Sequence, residues 1–188
     1  MVDPGPAVAK TRRNLVALAG GGAAALALEA CGSSRSKTRT STTPKTPPGP
    51  DVPILNHALD LEHMAITAYT AAAPLLPKPA RLAAQRFLAQ EISHSGEIAG
   101  LVHQAGGKPV KPRPHYDLGS PASADEVLAL LYQIEQIQLT SYLQSIQLLS
   151  TSSTRAAVAA ILANEAQHAS VLALELGRNP VPSAFAGS

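Results

Sequence analysis

Apolar residues recur with the period of an α-helix in four segments of the chain. The pattern predicts helices over residues 53–73, 80–105, 123–149 and 154–176. The first segment stops at the proline-rich PLLPKP, which a helix cannot continue through, and the second and fourth stop at Gly106 and Gly177, where glycine is typical of a helix end. The third segment begins at SADE, residues 123–126, which has the spacing of a capping box.

The lengths of the connections predict how these helices are arranged. The first and last pairs are joined by short links, so each pair should form an antiparallel hairpin. The link between the second and third helices has about sixteen residues, which at ~3.3 Å per residue is enough to run the length of a helix of about 25 residues. The sequence therefore predicts an all-α fold over residues 51–178, a four-helix bundle made of two antiparallel hairpins joined by a long crossover.

Two of the predicted helices carry a glutamate and a histidine on an otherwise apolar face. Glu91 precedes His94 by three residues in EISH, and Glu165 precedes His168 by three residues in EAQH. Residues three apart lie on the same side of an α-helix, so both members of a pair point in one direction. The same signal thus occurs once in each hairpin.

The other two helices each carry one glutamate in the middle of the apolar face. Glu62 is followed seven residues later by Tyr69, and Glu135 is followed at the same spacing by Tyr142, so the two halves form an internal repeat offset by about 73 residues. All four glutamates lie about fourteen to sixteen residues from the turn of their hairpin. Because a helix rises by a fixed distance per residue, the four carboxylates are expected at one height of the bundle.

Four carboxylates in a bundle core need protons, cationic partners or metal ions, because an unpaired buried charge costs several kcal/mol. No Lys or Arg lies at their level. Two divalent metal ions would neutralise the four negative charges, and the histidines would add neutral nitrogen ligands. We therefore expect a dinuclear metal site formed by Glu62, Glu91, His94, Glu135, Glu165 and His168. A polar core without metal is the alternative. Five other polar residues are predicted to lie at the surface: His57, His63, Glu97, His103 and His115.

The order Glu, Glu-x-x-His, Glu, Glu-x-x-His across residues 53–177 resembles the motif of the ferritin-like di-iron and di-manganese carboxylate proteins. The resemblance implies a ferritin-like bundle that binds two divalent ions, iron or manganese. It also implies that Glu62 and Glu135 are terminal ligands, that Glu91 and Glu165 bridge the metals, and that each metal has one histidine.

The spacing from glutamate to tyrosine resembles that of ferritins and bacterioferritins, which implies that Tyr69 and Tyr142 hydrogen-bond a ligand or donate an electron. The alternative is that both tyrosines are core residues without a functional role. Proteins of this family act on ferrous iron, oxygen or peroxide. Cys31 is the only cysteine of the chain, so the cysteine-rich domain of rubrerythrins has no counterpart. The remaining resemblance is to small exported bacterial ferritin-like proteins, many linked to stress. Two functions stay open: a redox enzyme, and a non-catalytic bundle that binds metal or serves a structural or interaction role without it.

Residues 1–31 have the charged start and short apolar stretch of a bacterial signal peptide. Arg12 and Arg13, directly before the apolar stretch, resemble a twin-arginine export signal. LEAC resembles a lipobox, which implies that Cys31 becomes the lipid-modified N-terminus. An uncleaved or Sec-type leader with an incidental Cys31 is the alternative. Residues 32–50 are rich in Ser, Thr and Pro and predict a flexible linker. We expect an exported protein anchored to the outer face of the cytoplasmic membrane.

The distribution of charge narrows the range of partners. Residues 1–50 carry seven Lys/Arg and two Asp/Glu, a net charge of +5. Residues 51–188 carry eight Lys/Arg and eleven Asp/Glu, a net charge of −3. The bundle therefore has no basic character of the kind that nucleic-acid binding requires. We expect small-molecule partners (oxygen, peroxide and ferrous iron) and the membrane through Cys31, but no nucleic acid; the sequence allows a homodimer. Residues 179–188 are predicted to form a tail.

Overall fold

The computed structural model describes residues 47–181. Within them the chain forms four long helices: α1 (Asp51–Ala72), α2 (Lys78–Gln104), α3 (Ala124–Ser145) and α4 (Ser152–Glu175). Short 3₁₀ turns, Ala73–Leu75 and Ile146–Leu148, follow α1 and α3. The prediction of an all-α four-helix bundle is confirmed. The predicted signal peptide with Arg12, Arg13 and Cys31, most of the linker and residues 182–188 of the tail lie outside the described residues.

The helix ends follow from local sequence. Ser123 caps α3, because its hydroxyl accepts a hydrogen bond from the backbone N–H of Glu126 at 3.2 Å. Gly106 and Gly177 follow α2 and α4 with φ angles of 76° and 66°. A residue with a side chain rarely adopts this left-handed conformation, which explains why glycine stands at both helix ends.

The third helix is shorter than predicted. The periodicity extends to residue 149, but the last turn of the helix is a 3₁₀ turn and the chain leaves the helix before the buried Leu149. The next residue, Ser150, is held by the buried carboxylate of Asp51, which accepts hydrogen bonds from its backbone N–H at 2.9 Å and from its hydroxyl at 2.7 Å. This contact joins the start of α1 to the turn before α4. The residues are far apart in the chain, so the periodicity of α3 could not predict the contact.

The helices pack as two hairpins, α1 with α2 and α3 with α4, with α1 against α3 and α2 against α4. The backbones of α2 and α4 approach each other at fewer positions than those of α1 and α3. The core has two apolar clusters, one around Tyr69, Phe87 and Leu131 and the other around Leu55 and Ile98. Along every helix the buried glutamate falls between residues of the two clusters. The carboxylates thus form a polar layer between two apolar halves of the bundle.

The crossover runs along the outer side of α1. The side-chain amide of Asn56 forms two hydrogen bonds with the backbone of the crossover, at 3.1 and 2.9 Å. One turn further, the carboxylate of Asp60 accepts from Arg113 Nε at 2.9 Å and from the Tyr116 hydroxyl at 3.1 Å. His63 lies on the same face of α1. The prediction that His63 lies at the surface is therefore wrong: it is partly buried, and this burial lowers its pKa.

Among the described helices, α4 alone is long and apolar enough, by length and composition, to cross a membrane. Val158, Ile161 and Leu172 of this helix are buried in the bundle, where it also carries Glu165 and His168 into the core, whereas Leu174 is exposed. These features are those of the core helix of a folded domain.

Candidate metal centre

The six residues predicted as metal ligands lie together in the middle of the bundle. The four glutamates are fully buried and His168 is 1% exposed, whereas the side chain of His94 is 12% exposed. Their ligand atoms form two groups, in each of which all atoms lie within 4.8 Å of one another. The groups are Glu62, Glu91, His94 and Glu165, and Glu91, Glu135, Glu165 and His168. Glu91 and Glu165 therefore belong to both groups.

Glu165 lies between the two histidines. Its Oε1 is 2.7 Å from Nδ1 of His94, and its Oε2 is 3.0 Å from Nδ1 of His168. Glu91 places its Oε1 3.0 Å from Nδ1 of His168. The histidine rings are 6.1 Å apart between centroids and are inclined by 26°. Both rings thus turn the same nitrogen toward the shared carboxylates.

The two tyrosines connect the halves of the repeat. The Tyr142 hydroxyl on α3 donates a hydrogen bond to Oε1 of Glu62 on α1, and the Tyr69 hydroxyl on α1 donates one to Oε1 of Glu135 on α3. Both rings are buried. Each of the two glutamates therefore has one oxygen held by a tyrosine and the other free to face the centre.

The charges of the site are strongly coupled. Burial, together with the nearby carboxylates Glu91 and Glu165, raises the pKa of Glu62 well above its usual value, and burial likewise raises the pKa of Glu135. Burial alone would also raise the pKa of Glu165, but contacts with His168 and His94 outweigh it and lower the pKa to about 2. Burial opposes the charged form of His168, yet three carboxylates raise its pKa to about 11. Without metal, the cluster thus holds protons and a His168–Glu165 ion pair.

Three residues around the cluster were not predicted from the sequence. Gln90 Oε1 lies 2.9 Å from Nε2 of His168, and the ring of Phe87 lies 4.2 Å from the same imidazole. Gln138 is fully buried and its amide donates to Oε2 of Glu91 at 3.2 Å. Gln138 follows Glu135 at the spacing of the Glu-x-x-His pairs, and this spacing is the signal by which the sequence could have identified it. The residues expected at the surface apart from His63 are exposed: His57, Glu97, His103 and His115.

The unpaired atoms of the cluster fit a group of bound cations. Seven buried ligand atoms face one another and have no hydrogen-bond partner outside the cluster among the described residues: Glu62 Oε2, Glu91 Oε1, His94 Nδ1, Glu135 Oε2, both Glu165 carboxylate oxygens and His168 Nδ1. Buried polar atoms are normally satisfied, and acceptors turned toward one another need a proton or a cation between them. Carboxylate oxygens with imidazole nitrogens suit divalent transition metals. The site therefore supports divalent metal binding.

Several solved structures share this fold. The chain resembles a conserved hypothetical protein of Mycobacterium tuberculosis with a TM-score of 0.65 and 22% identity, over 72% of this chain and 96% of that one. It resembles the bacterioferritin-related protein of Bacteroides fragilis, described as a dodecameric thioferritin, with a TM-score of 0.60 and 20% identity over 67% and 83% of the two chains. It also resembles ferritin-like diiron-carboxylate proteins of Bacillus anthracis, with a TM-score of 0.58 and 20% identity over 66% of this chain and 94% of that one. At these identities the likeness concerns the fold alone.

The family assignment rests on the sequence of the bundle. No curated protein sequence gives a significant match to the chain. Residues 50–178, which include all four helices and all six candidate ligands, match the ferritin-like domain family. Given this match, the fold and the buried carboxylate cluster, the chain belongs to the ferritin-like domain family.

Proposed function

We propose that this protein binds a dinuclear iron or manganese centre and carries out redox chemistry on ferrous iron, oxygen or peroxide in protection against stress. One observation carries the proposal: two groups of buried ligand atoms share Glu91 and Glu165. Two ions held by four carboxylates would form a neutral unit, which a buried site favours. The similarity in fold to the diiron-carboxylate proteins of Bacillus anthracis agrees with this proposal.

The residues of the chain have separate roles in this proposal. Glu91 and Glu165 would be shared by the two ions, Glu62 and Glu135 would each hold one ion, and His94 and His168 would supply one nitrogen each. Bound metal would supply the exchange of electrons with oxygen or peroxide. Tyr69 and Tyr142 are positioning residues, because their hydroxyls fix Oε1 of Glu135 and of Glu62. The two apolar clusters separate the layer from water at the two ends of the bundle.

The enzymatic part of the proposal is tested by turnover. Metal-free protein loaded with ferrous iron or Mn²⁺ is expected to oxidise the ferrous iron or consume peroxide repeatedly. A Glu62→Ala variant is expected to lose at least ~10-fold of this activity, since removing even an outer partner of a metal site costs that much. Glu175→Ala, which removes an exposed glutamate of α4, is the matched control and should leave the rate unchanged.

The other outcomes of this experiment separate the remaining functions. Metal binding without turnover by the wild type would overturn the redox proposal in favour of a non-catalytic metal-binding bundle. No saturable binding in chelator-free, reducing buffer would leave a structural or interaction bundle without metal.

We further propose export and lipid anchoring, on the basis of Arg12, Arg13 and the LEAC sequence around Cys31. Export by a twin-arginine route would let the protein fold and take up its metal in the cytoplasm. Replacing both arginines by lysine is expected to leave the protein inside the cell, as measured by fractionation. Cys31→Ser is expected to release exported protein from the membrane. Unchanged export or unchanged membrane association would contradict the respective proposal.

A further inference from the structure

The two Glu-x-x-His segments align in the repeat but differ in the residue before the glutamate. The first reads QEISH and the second NEAQH, so Gln90 and Asn164 occupy equivalent positions, 74 residues apart. In a symmetric site each of these amides would face the histidine of the opposite segment. The structure shows such a contact for Gln90, whose Oε1 lies 2.9 Å from Nε2 of His168.

Contacts with neighbouring side chains fix the position of the His168 ring. The contact with Gln90 favours the tautomer with a proton on Nε2, which leaves the lone pair of Nδ1 for a metal. The ring of Phe87 stacks on the imidazole with 4.2 Å between centroids and 30° between planes. The amide of Gln138 holds Oε2 of Glu91, so that the other oxygen of this carboxylate faces His168. The side chain of His168 is 1% exposed.

His94 has none of these supports. Within residues 47–181 its ring forms no hydrogen bond with Asn164, whose side chain is one methylene shorter than that of Gln90. The repeat places Ile161 where the other half has Phe87. The repeat partner of Gln138 is Ala65, which has no amide to donate.

His94 lines a pocket at the surface of the bundle. This pocket of ≈ 550 Å³ lies where α2 faces α4, the less closely packed side of the bundle. His94 and Asn164 line it together with the small side chains of Ala157 and Ala160. The side chain of His94 is 12% exposed as a result. The group formed by Glu62, Glu91, His94 and Glu165 thus has one ligand at the surface, His94, whereas all four ligands of the group containing His168 are enclosed.

We propose that the two metal positions are unequal, with a closed position at His168 that retains its ion and an open position at His94 that exchanges its ion and admits the small-molecule substrate. Gln90 and Asn164 are the positioning residues that set this difference. The inference rests on the proposed function, since it requires two bound ions. Because an outer hydrogen bond to a metal-bound histidine is typically worth ~10–100-fold in affinity, a difference of this size is expected between the positions.

Manganese exchange tests the inference without reference to activity. Wild-type protein loaded with Mn²⁺ and mixed with excess chelator is expected to lose one ion quickly and the second at least ~10-fold more slowly. Gln90→Asn should speed up the slow phase, because it removes the support of His168. Asn164→Gln should slow the fast phase, because the longer amide can reach His94. Circular dichroism of both variants checks that the bundle is intact.

Access is tested separately from affinity. Ala160→Leu places a larger side chain in the pocket and is expected to slow both uptake and loss of the fast-exchanging ion while its equilibrium affinity changes little. Ala159→Leu, at the neighbouring exposed alanine of α4 outside the pocket, is the matched control and should exchange like the wild type.

If the two bound ions leave at equal rates and neither Gln90→Asn nor Asn164→Gln changes those rates, this inference is overturned, while the dinuclear site stands. Absence of saturable Mn²⁺ binding would instead overturn the proposed function, and this inference with it.

Discussion

Glu165→Ala is expected to abolish binding of both metal ions at concentrations that saturate the wild type. The two carboxylate oxygens of Glu165 lie 2.7 and 3.0 Å from the Nδ1 atoms of His94 and His168, so this one side chain serves both positions. His94→Ala removes a ligand of the open position only and is expected to leave about one ion bound. Metal analysis after gel filtration, or the spectroscopic signal of free Mn²⁺ during titration, gives the stoichiometry of each variant.

Controls separate this effect from a loss of structure. Glu165→Gln keeps the shape of the side chain without its charge and should also lose both ions, while Glu175→Ala, on the same helix but exposed, should bind like the wild type. If Glu165→Ala and His94→Ala both retained one ion, Glu165 would not be shared, and the assignment of bridging and terminal carboxylates would be wrong.

Removal of metal is expected to lower the melting temperature strongly. A ligand that binds only the folded state at 100 times its Kd stabilises it by about 2.7 kcal/mol for each site. For a domain of this size one site would then raise Tm by on the order of 10 °C. Thermal unfolding followed by circular dichroism, with a chelator or with increasing Mn²⁺, measures the shift, and Glu165→Ala should show almost none.

The stability of the metal-free protein should fall as pH rises above 4.5, and more steeply above 6.5. Glu62 and Glu135 have folded-state pKa values raised above 4.5, so their favourable contribution is complete below pH 4.5 and is lost as pH rises through the folded pKa. The pKa of His168 is raised from 6.5 to about 11, so its contribution declines above pH 6.5. Glu165, with its pKa lowered from 4.5 to about 2, loses its contribution only in acid.

Metal binding has the opposite dependence on pH, because the ligands must be deprotonated. The difference in Tm between metal-loaded and metal-free protein should therefore be larger near about pH 8 than near about pH 5.5. An equal difference at both pH values would show that the buried carboxylates release no protons when metal binds, which contradicts their assignment as ligands.

The sequence by itself determined the helices, their order and the level of the carboxylates. Helical periodicity and the fixed rise per residue place Glu62, Glu91, Glu135 and Glu165 at one height whatever the details of packing. The glycines after α2 and α4 marked helix ends because the left-handed conformation there suits glycine. Such signals are local, which is why they can be read from neighbouring residues.

Only the tertiary structure decided the features that depend on contacts between distant segments. The crossover covers the face of α1 that carries His63, and the contact of Asp51 with Ser150 fixes the turn after α3. Neither contact leaves a periodic trace in the chain.

The difference between His94 and His168 also depends on contacts between distant segments. Gln90 and Asn164 are equivalent in the repeat and similar in chemistry, and one methylene separates them. Whether that length suffices to reach an imidazole depends on the distance between α2 and α4, which packing sets and no single helix encodes. The sequence therefore determined which ligands meet, and the tertiary structure decided that one histidine is enclosed and the other lies open to solvent.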